Sequence, residues 1–135
     1  MKYLLAVLSI VSLFTAVGCE NTSGKVTVSG SVLLGGTPLD KGTITFLAPE
    51  GQTPTAATPI ENGKFKLPAV SGLLPGKYRV RISAIEEFDI TPEEYAAGKK
   101  APPNRERVPA KYNTESQEMI DVDAKGKNQF DFDLK

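Results

Sequence analysis

Residues 77–85 have the sequence KYRVRISAI, and this stretch decides the fold. Tyr78, Val80 and Ile82 fall at every second position, and basic residues fill the alternate positions through 81. Successive side chains of a β-strand point to opposite faces of a sheet, so this alternation gives one apolar face and one charged face. The stretch therefore predicts a strand with one face on a core and the other in solvent.

The same alternation continues, less regularly, on both sides of this strand. It recurs in six further segments: 25–34, 43–47, 55–60, 65–67, 117–122 and 129–134. Asn62-Gly63 is typical of a two-residue hairpin turn, because both residue types tolerate positive φ. In the sixth strand we expect Ile120 and Val122 to face inward and Met119 to face outward. Seven short strands, each with one apolar face, predict an all-β fold, a seven-strand antiparallel sandwich.

The segment 86–107 interrupts the strand pattern. It is long, charged and contains proline. Within it, Thr91 is placed as an N-cap, Pro92 as the first helical residue, and Gly98 as the end of a short helix. We expect one long surface loop that carries this helix. Long loops in compact domains are either functional or disordered, and the sequence leaves both alternatives open.

The N-terminus has the features of a cleaved export signal. Lys2 supplies a positive charge, and residues 3–17 are uncharged and mostly apolar. Fifteen such residues fall short of the roughly 20 that span a bilayer, and they fit the apolar region of a signal peptide. Ala16, Val17 and Gly18 then precede Cys19, and this stretch resembles the bacterial lipobox, in which the cysteine is lipid-modified.

The lipobox resemblance implies cleavage between Gly18 and Cys19 and lipid attachment at Cys19. The predicted organisation is a signal peptide at 1–18, the lipidated cysteine and a short tether at 19–24, and the β-sandwich domain at 25–135. The protein is then exported and anchored to a membrane of the cell envelope. The alternatives are an ordinary secretory signal with an incidental cysteine and an uncleaved membrane anchor.

The composition limits the classes of function that this protein can have. The net charge is +0, from 16 basic and 16 acidic residues, so we expect no electrostatic attraction to nucleic acid. The single Cys cannot form an internal disulfide, and the chain has no His and no Trp. Mechanisms that pair serine or cysteine with histidine are therefore excluded. The sequence predicts a protein that is not an enzyme and that has no cofactor.

An ordered set of short motifs extends over nearly all of the chain beyond residue 24. These are VSGSV at 28–32, GTPL at 36–39, GTITF at 42–46, GKF at 63–65, PGKYRV at 75–80, VPAKYN at 108–113, and GKN at 126–128 before FDF at 130–132. In this order they resemble the small carboxypeptidase-regulatory-like, transthyretin-like lipoproteins of planctomycetes. The resemblance implies a prealbumin-like seven-strand sandwich, usually without known activity. A hydrolase of purine degradation shares the transthyretin-like fold, but its His and Arg cluster and C-terminal Tyr-Arg-Gly-Ser have no counterpart here.

Residues 121–126, DVDAKG, partly match a calcium-binding loop. Position five is Lys125, and position twelve, which needs a bidentate Glu, is Phe132. We therefore expect no metal site, and we interpret the aspartates at 121, 123, 131 and 133 as the solvated faces of two adjacent strands. Arg79 and Arg81 are candidates to pair with such acids across strands.

Four residues around the proline-containing segment are candidate ligand contacts: Arg105, Arg107, Lys111 and Tyr112. The alternative is that Tyr112 packs over the end of the sandwich while the charges face solvent. The function expected from the sequence is a non-catalytic envelope module, held in the membrane through lipid on Cys19, that binds or scaffolds a protein or glycan partner. A structural spacer without a specific ligand is the main alternative, followed by carbohydrate binding, which the lack of Trp disfavours, and an unrecognised hydrolase. An exposed apolar patch rimmed by polar groups is expected only for a binder.

Overall fold

The computed structural model describes residues 24–50 and 54–135. In chain order, the strands of this part are β1 (Val28–Leu34), β2 (Thr37–Pro38), β3 (Lys41–Leu47), β4 (Pro54–Glu61), β5 (Lys64–Leu67), β6 (Gly76–Ser83), β7 (Ile85–Glu86), β8 (Arg105–Glu106), β9 (Met119–Val122) and β10 (Gln129–Leu134). One α-helix, α1 (Pro92–Ala96), and two 3₁₀ turns (Ala69–Ser71 and Ala110–Tyr112) complete the described elements.

Seven of these strands form one curled sheet in the order β10-β1-β5-β4-β3-β6-β9, and β2 pairs with β1 beside it. They are the seven strands that the sequence predicts, and the all-β sandwich fold is confirmed. All neighbours on this path are antiparallel except β1 and β10, which are parallel with Val32 opposite Phe132. The exception arises because β9 ends at the same end of the sandwich at which β1 begins. β10 therefore starts there and runs alongside β1 in the same direction.

The sheet folds into two layers at the β4–β5 hairpin. Asn62 and Gly63 have φ values of 51° and 73°, as the predicted two-residue turn requires. β4 and β5 share only two residue pairs next to this turn, and then the strands diverge. Beyond the ladder, the Thr58 hydroxyl donates to the Lys66 carbonyl oxygen at 3.0 Å. The layer β10-β1-β5 therefore separates from the layer β4-β3-β6-β9, and the core lies between them.

The predicted inward faces are buried. Ile120 and Val122 are buried, whereas Met119, on the opposite face of β9, is 48% exposed. A side chain cannot fit at Gly30 in β1, because a Cβ there would lie 1.7 Å from the Phe130 carbonyl oxygen. The core comprises Val28, Val32, Leu39, Ile44, Phe46, Ile60, Phe65, Leu67, Leu73, Tyr78, Val80, Ile82, Ala84, Val108, Ile120, Val122 and Leu134.

The two ends of the sandwich differ. The N-terminal end comprises residues 24–27, 68–75 and 123–128, where β1, β6 and β10 begin. The opposite end carries the segment 84–107, which we call the arm. Its stem is the antiparallel pair β7–β8, which the sequence did not predict, since two residues are too few to show alternation. Inside it, α1 begins with a capping box between Thr91 and Glu94, and Gly98 follows the helix with φ 78°, as predicted.

Candidate functional site

An open groove lies on the outer side of the sandwich where β4 and β5 part. Its volume is about 820 Å³. The side chain of Phe65, on β5, borders the groove but is itself 4% exposed and belongs to the core. The accessible surface of the groove is divided almost evenly between polar and apolar atoms, and its polar side chains include those of Ser29, Ser31, Glu61, Lys64, Lys66 and Asp131.

The side chains of this groove can form hydrogen bonds, and its acidic and basic groups are equal in number. Two carboxylates, Glu61 and Asp131, stand against two ammonium groups, Lys64 and Lys66. The Ser31 backbone N–H and hydroxyl both donate to Asp131 Oδ1, at 3.0 and 2.6 Å, which fixes that carboxylate against β1. Donors and acceptors side by side suit a polar ligand with both kinds of group.

A smaller groove of about 480 Å³ lies at the arm end, between β3, β6 and the start of the arm. Lys41 and Thr43 line one side, and Ser83, Glu87 and Asp89 line the other. Its lining is more polar and carries more acidic than basic groups.

The Glu106 carboxylate holds the arm to the sandwich. Its Oε1 accepts from the backbone N–H groups of Ala84, at 2.8 Å, and Val108, at 3.0 Å. Its Oε2 accepts from the Ser83 hydroxyl at 2.5 Å and from Asn113 Nδ2 at 2.8 Å. One side chain thus joins the end of β6, the strand β8 and the 3₁₀ turn that follows. Partial burial acts to raise the pKa of Glu106, but these hydrogen bonds to the charged form outweigh it and hold the pKa below the usual value.

The two predicted arginines have acidic partners within the chain. Arg105 Nη2 lies 2.6 Å from Glu86 Oε2, across the β7–β8 pair. Arg107 Nη1 lies 2.8 Å from Asp40 Oδ1, and this hydrogen bond is the main reason that the pKa of Asp40 lies below its usual value. Both arginines therefore fasten the arm, one within its stem and one to the connection before β3.

Lys111 and Tyr112 lie together on the 3₁₀ turn after the arm. The Lys111 ammonium is 4.9 Å from the centre of the Tyr112 ring, and the Tyr112 hydroxyl accepts from the Lys135 backbone N–H at 3.3 Å. The Tyr112 ring packs against the core, in agreement with the alternative that it covers the sandwich. None of the four predicted contact residues lines either of the two grooves described above, and their role in binding a ligand stays a prediction.

The aspartates at 121, 123, 131 and 133 are exposed to solvent, as predicted, but the prediction that their two strands are adjacent is wrong. β9 and β10 lie at opposite ends of the strand order, because β10 pairs with β1 rather than with its neighbour in sequence. In residues 24–50 and 54–135 neither Arg79 nor Arg81 forms an ion pair. Arg79 Nη2 donates instead to the Pro49 carbonyl oxygen at 2.7 Å.

The side-chain amide of Asn128 organises the turn 123–128. Asn128 Oδ1 accepts from the Asp123 backbone N–H at 2.8 Å, and Asn128 Nδ2 donates to the Asp123 carbonyl oxygen at 2.9 Å. Asp123 Oδ1 accepts from the Lys125 backbone N–H at 2.8 Å. Within the described ranges no three His, Cys, Asp or Glu side chains group as a metal site.

Sequence reasoning missed Glu106, Asn128 and Ser116. Ser116 is 3% exposed, and its hydroxyl donates to the Val80 carbonyl oxygen at 2.5 Å. Asn128 had a local signal, since Asn after Gly-Lys is a turn residue whose side chain commonly bonds backbone. Glu106 had no local sequence signal, because its hydrogen-bond partners are up to 23 residues away in the sequence.

Gly18 and Cys19, the predicted cleavage and lipid-attachment residues, lie outside the described residues. In the part of the chain that the structure describes, no helix is long and apolar enough to cross a membrane. No protein-family model and no curated protein matches the chain.

Proposed function

We propose that this protein is an exported lipoprotein, anchored to a cell-envelope membrane through Cys19, whose sandwich is a non-catalytic binding or scaffolding module. The observation that carries the anchor is the position of the only Cys, directly after an 18-residue segment with the layout of a signal peptide. The thiol would take a diacylglyceryl group, and the α-amine freed by cleavage would be acylated in turn. Two or three chains anchor a protein stably where one chain binds only reversibly.

The groove between β4 and β5 supports a binding role. Its charges are balanced, with Lys64 and Lys66 against Glu61 and Asp131, and this favours a partner that carries both hydrogen-bond donors and acceptors over a polyanion. An extended peptide or glycan of the envelope has the alternating donors and acceptors that such a surface recognises. The chain has no Trp to stack on a sugar ring, which favours the peptide.

The non-catalytic part of the proposal rests on the side chains that the sequence contains. Ser31 donates its hydroxyl proton to Asp131 in the groove, but the chain has no imidazole to act as a base for that serine. Cys19, the only thiol, is assigned to lipid attachment.

The anchor is tested with a Cys19→Ser variant expressed in a bacterial host. We expect loss of the lipid mass from the mature protein and transfer from the membrane to the soluble fraction. Ser12→Ala, inside the apolar segment, is the matched control and should behave as the wild type. A Cys19→Ser protein that is processed normally and still fractionates with the membrane would overturn the anchor.

The binding role is tested by capture of envelope components on the anchored protein. A Lys64→Glu/Lys66→Glu variant should lose a partner that the matched Lys77→Glu variant, outside the groove, retains. Deleting residues 88–103 removes the helix of the arm but keeps β7, β8 and Glu106, so the domain should stay folded. A partner lost with 88–103 and kept in the groove variant would assign binding to the arm. Capture of nothing by the wild type would favour the spacer.

A further inference from the structure

Two exposed apolar side chains lie on one connection at the N-terminal end of the sandwich. Val70 is 62% exposed and Leu74 is 51% exposed, both between β5 and β6. Leu73, beside them, is 1% exposed and fills the core. The connection is therefore fixed to the domain by Leu73, while its two other large apolar side chains face outward.

This connection lies beside the point where the chain from Cys19 enters the domain. The Val26 backbone N–H donates to the Leu73 carbonyl oxygen at 2.8 Å, as part of an isolated antiparallel bridge. A Cβ at Gly24 would lie 3.8 Å from Leu74 Cδ2. The end of the tether at Gly24 thus lies next to the exposed Leu74 side chain.

The tether is too short to carry this end away from a membrane. Five residues, 20–24, separate Cys19 from Lys25, and five extended residues reach at most about 17 Å. The headgroup layer is itself roughly 5 to 7 Å thick on each side of the hydrocarbon. Lipid on Cys19 therefore holds Leu74 within a short distance of the bilayer surface at all times.

We propose that Val70 and Leu74 dock into the interfacial layer of the same bilayer that holds the lipid on Cys19. This inference rests on the proposed lipid anchor. Lys77 at the start of β6 stands opposite Asp121 on β9. The N-terminal end itself carries Lys25, Lys125 and Lys127 against Asp123, so attraction to an anionic bilayer adds to the apolar contact. Docking turns the N-terminal end to the membrane and directs β6, about 24 Å long, and the arm at its far end away from it.

The chain has no Trp, so a single introduced indole reports its own surroundings. Leu74→Trp places it in the proposed contact, and Ile85→Trp, at a site 56% exposed on the arm, is the matched control. Each lipoprotein is purified from membranes and reconstituted in phosphatidylethanolamine–phosphatidylglycerol vesicles with brominated acyl chains. We expect blue-shifted, bromine-quenched emission for L74W and water-exposed, unquenched emission for I85W. Adding Val70→Asp to L74W should lower the ratio of docked to undocked domain by about fivefold, from the apolar area lost.

Three results would count against docking in different ways. Equal quenching in L74W and I85W, with both proteins floating with the vesicles, would overturn docking and leave the lipid anchor intact. Failure of both proteins to float would overturn the anchor and the docking together. An indole in L74W that is already shielded from water in a Cys19→Ser background without vesicles would assign the patch to the tether or to a second copy.

Discussion

Removing the Glu106 carboxylate should destabilise the whole domain, although the residue lies at the surface. Two of its four donors are the backbone N–H groups of Ala84 and Val108, in residues only 1% and 3% exposed. An unsatisfied buried donor costs about 1 to 3 kcal/mol. In Glu106→Ala both N–H groups lose their acceptor, and water replaces it only in part. We therefore expect this variant to lower the free energy of unfolding by about 3 kcal/mol. Glu106→Gln keeps an acceptor for both N–H groups and should cost about 1 kcal/mol.

Urea unfolding followed by far-UV circular dichroism measures these differences at neutral pH. Glu118→Ala, at an exposed acid, is the matched control and should change the free energy of unfolding by less than about 0.5 kcal/mol. A Glu106→Ala cost no larger than that of the control would refute the reasoning, because it would mean that the four hydrogen bonds do not hold the arm.

The Glu106 carboxyl group should also make the stability of the domain depend on pH. The pKa of Glu106 in the folded protein lies below its usual value, so the unfolded chain binds the proton more tightly. The stability from this group is complete above the unfolded-state pKa, near 4.3, and is lost as the pH falls through the folded-state pKa. Glu106→Gln has no carboxyl group to titrate at this position. The difference in the free energy of unfolding between this variant and the wild type should therefore shrink on acidification from about pH 6 to about pH 3. A constant difference across that range would contradict the prediction.

Substitutions at three further positions have defined outcomes. Gly30→Ala should lower the free energy of unfolding by about 3 kcal/mol, measured in urea, because its Cβ would overlap the Phe130 carbonyl oxygen. Asn62→Ala should cost about 1 kcal/mol at a φ of 51°, whereas Asn62→Gly should be nearly neutral in the same assay. Arg107→Gln should raise the pKa of Asp40 towards its usual value, measured by NMR titration of the side-chain carboxyl carbon.

The contrary results are equally specific. Wild-type stability of Gly30→Ala would mean that β1 and β10 do not approach as closely as the structure has them. Equal stability of the alanine and glycine variants at Asn62 would contradict the left-handed turn. An Asp40 pKa that Arg107→Gln leaves unchanged would contradict the ion pair that links the arm to the start of β3.

The arm and the groove now have separate expected roles. Glu106 and the two arginines fasten the stem of the arm, so its removable part is the helix and the residues around it, not the whole of 86–107. The groove lies on strands of the rigid sandwich, between β4 and β5. Variants in one of these features therefore leave the other intact, which makes the binding experiments separable.

The sequence alone determined the features that depend on neighbouring residues. Alternation at every second position located the seven strands and their buried faces. In β9 it distinguished the buried Ile120 and Val122 from the exposed Met119. The Asn62-Gly63 turn and the cap at Thr91 were equally predictable, because each acts over at most four residues. Cys19 remains a prediction of the sequence pattern.

Only the tertiary structure decided which distant segments meet. Strand alternation says that a face is buried but not which strand pairs with which, so the β1–β10 pair and the separation of β9 from β10 were not predictable. The role of Glu106 depends on donors in β6 and beyond β8 that come together only when the arm closes. The exposure of Val70 and Leu74 beside the end of the tether likewise follows from the Val26–Leu73 bridge, a contact between segments 47 residues apart in the sequence.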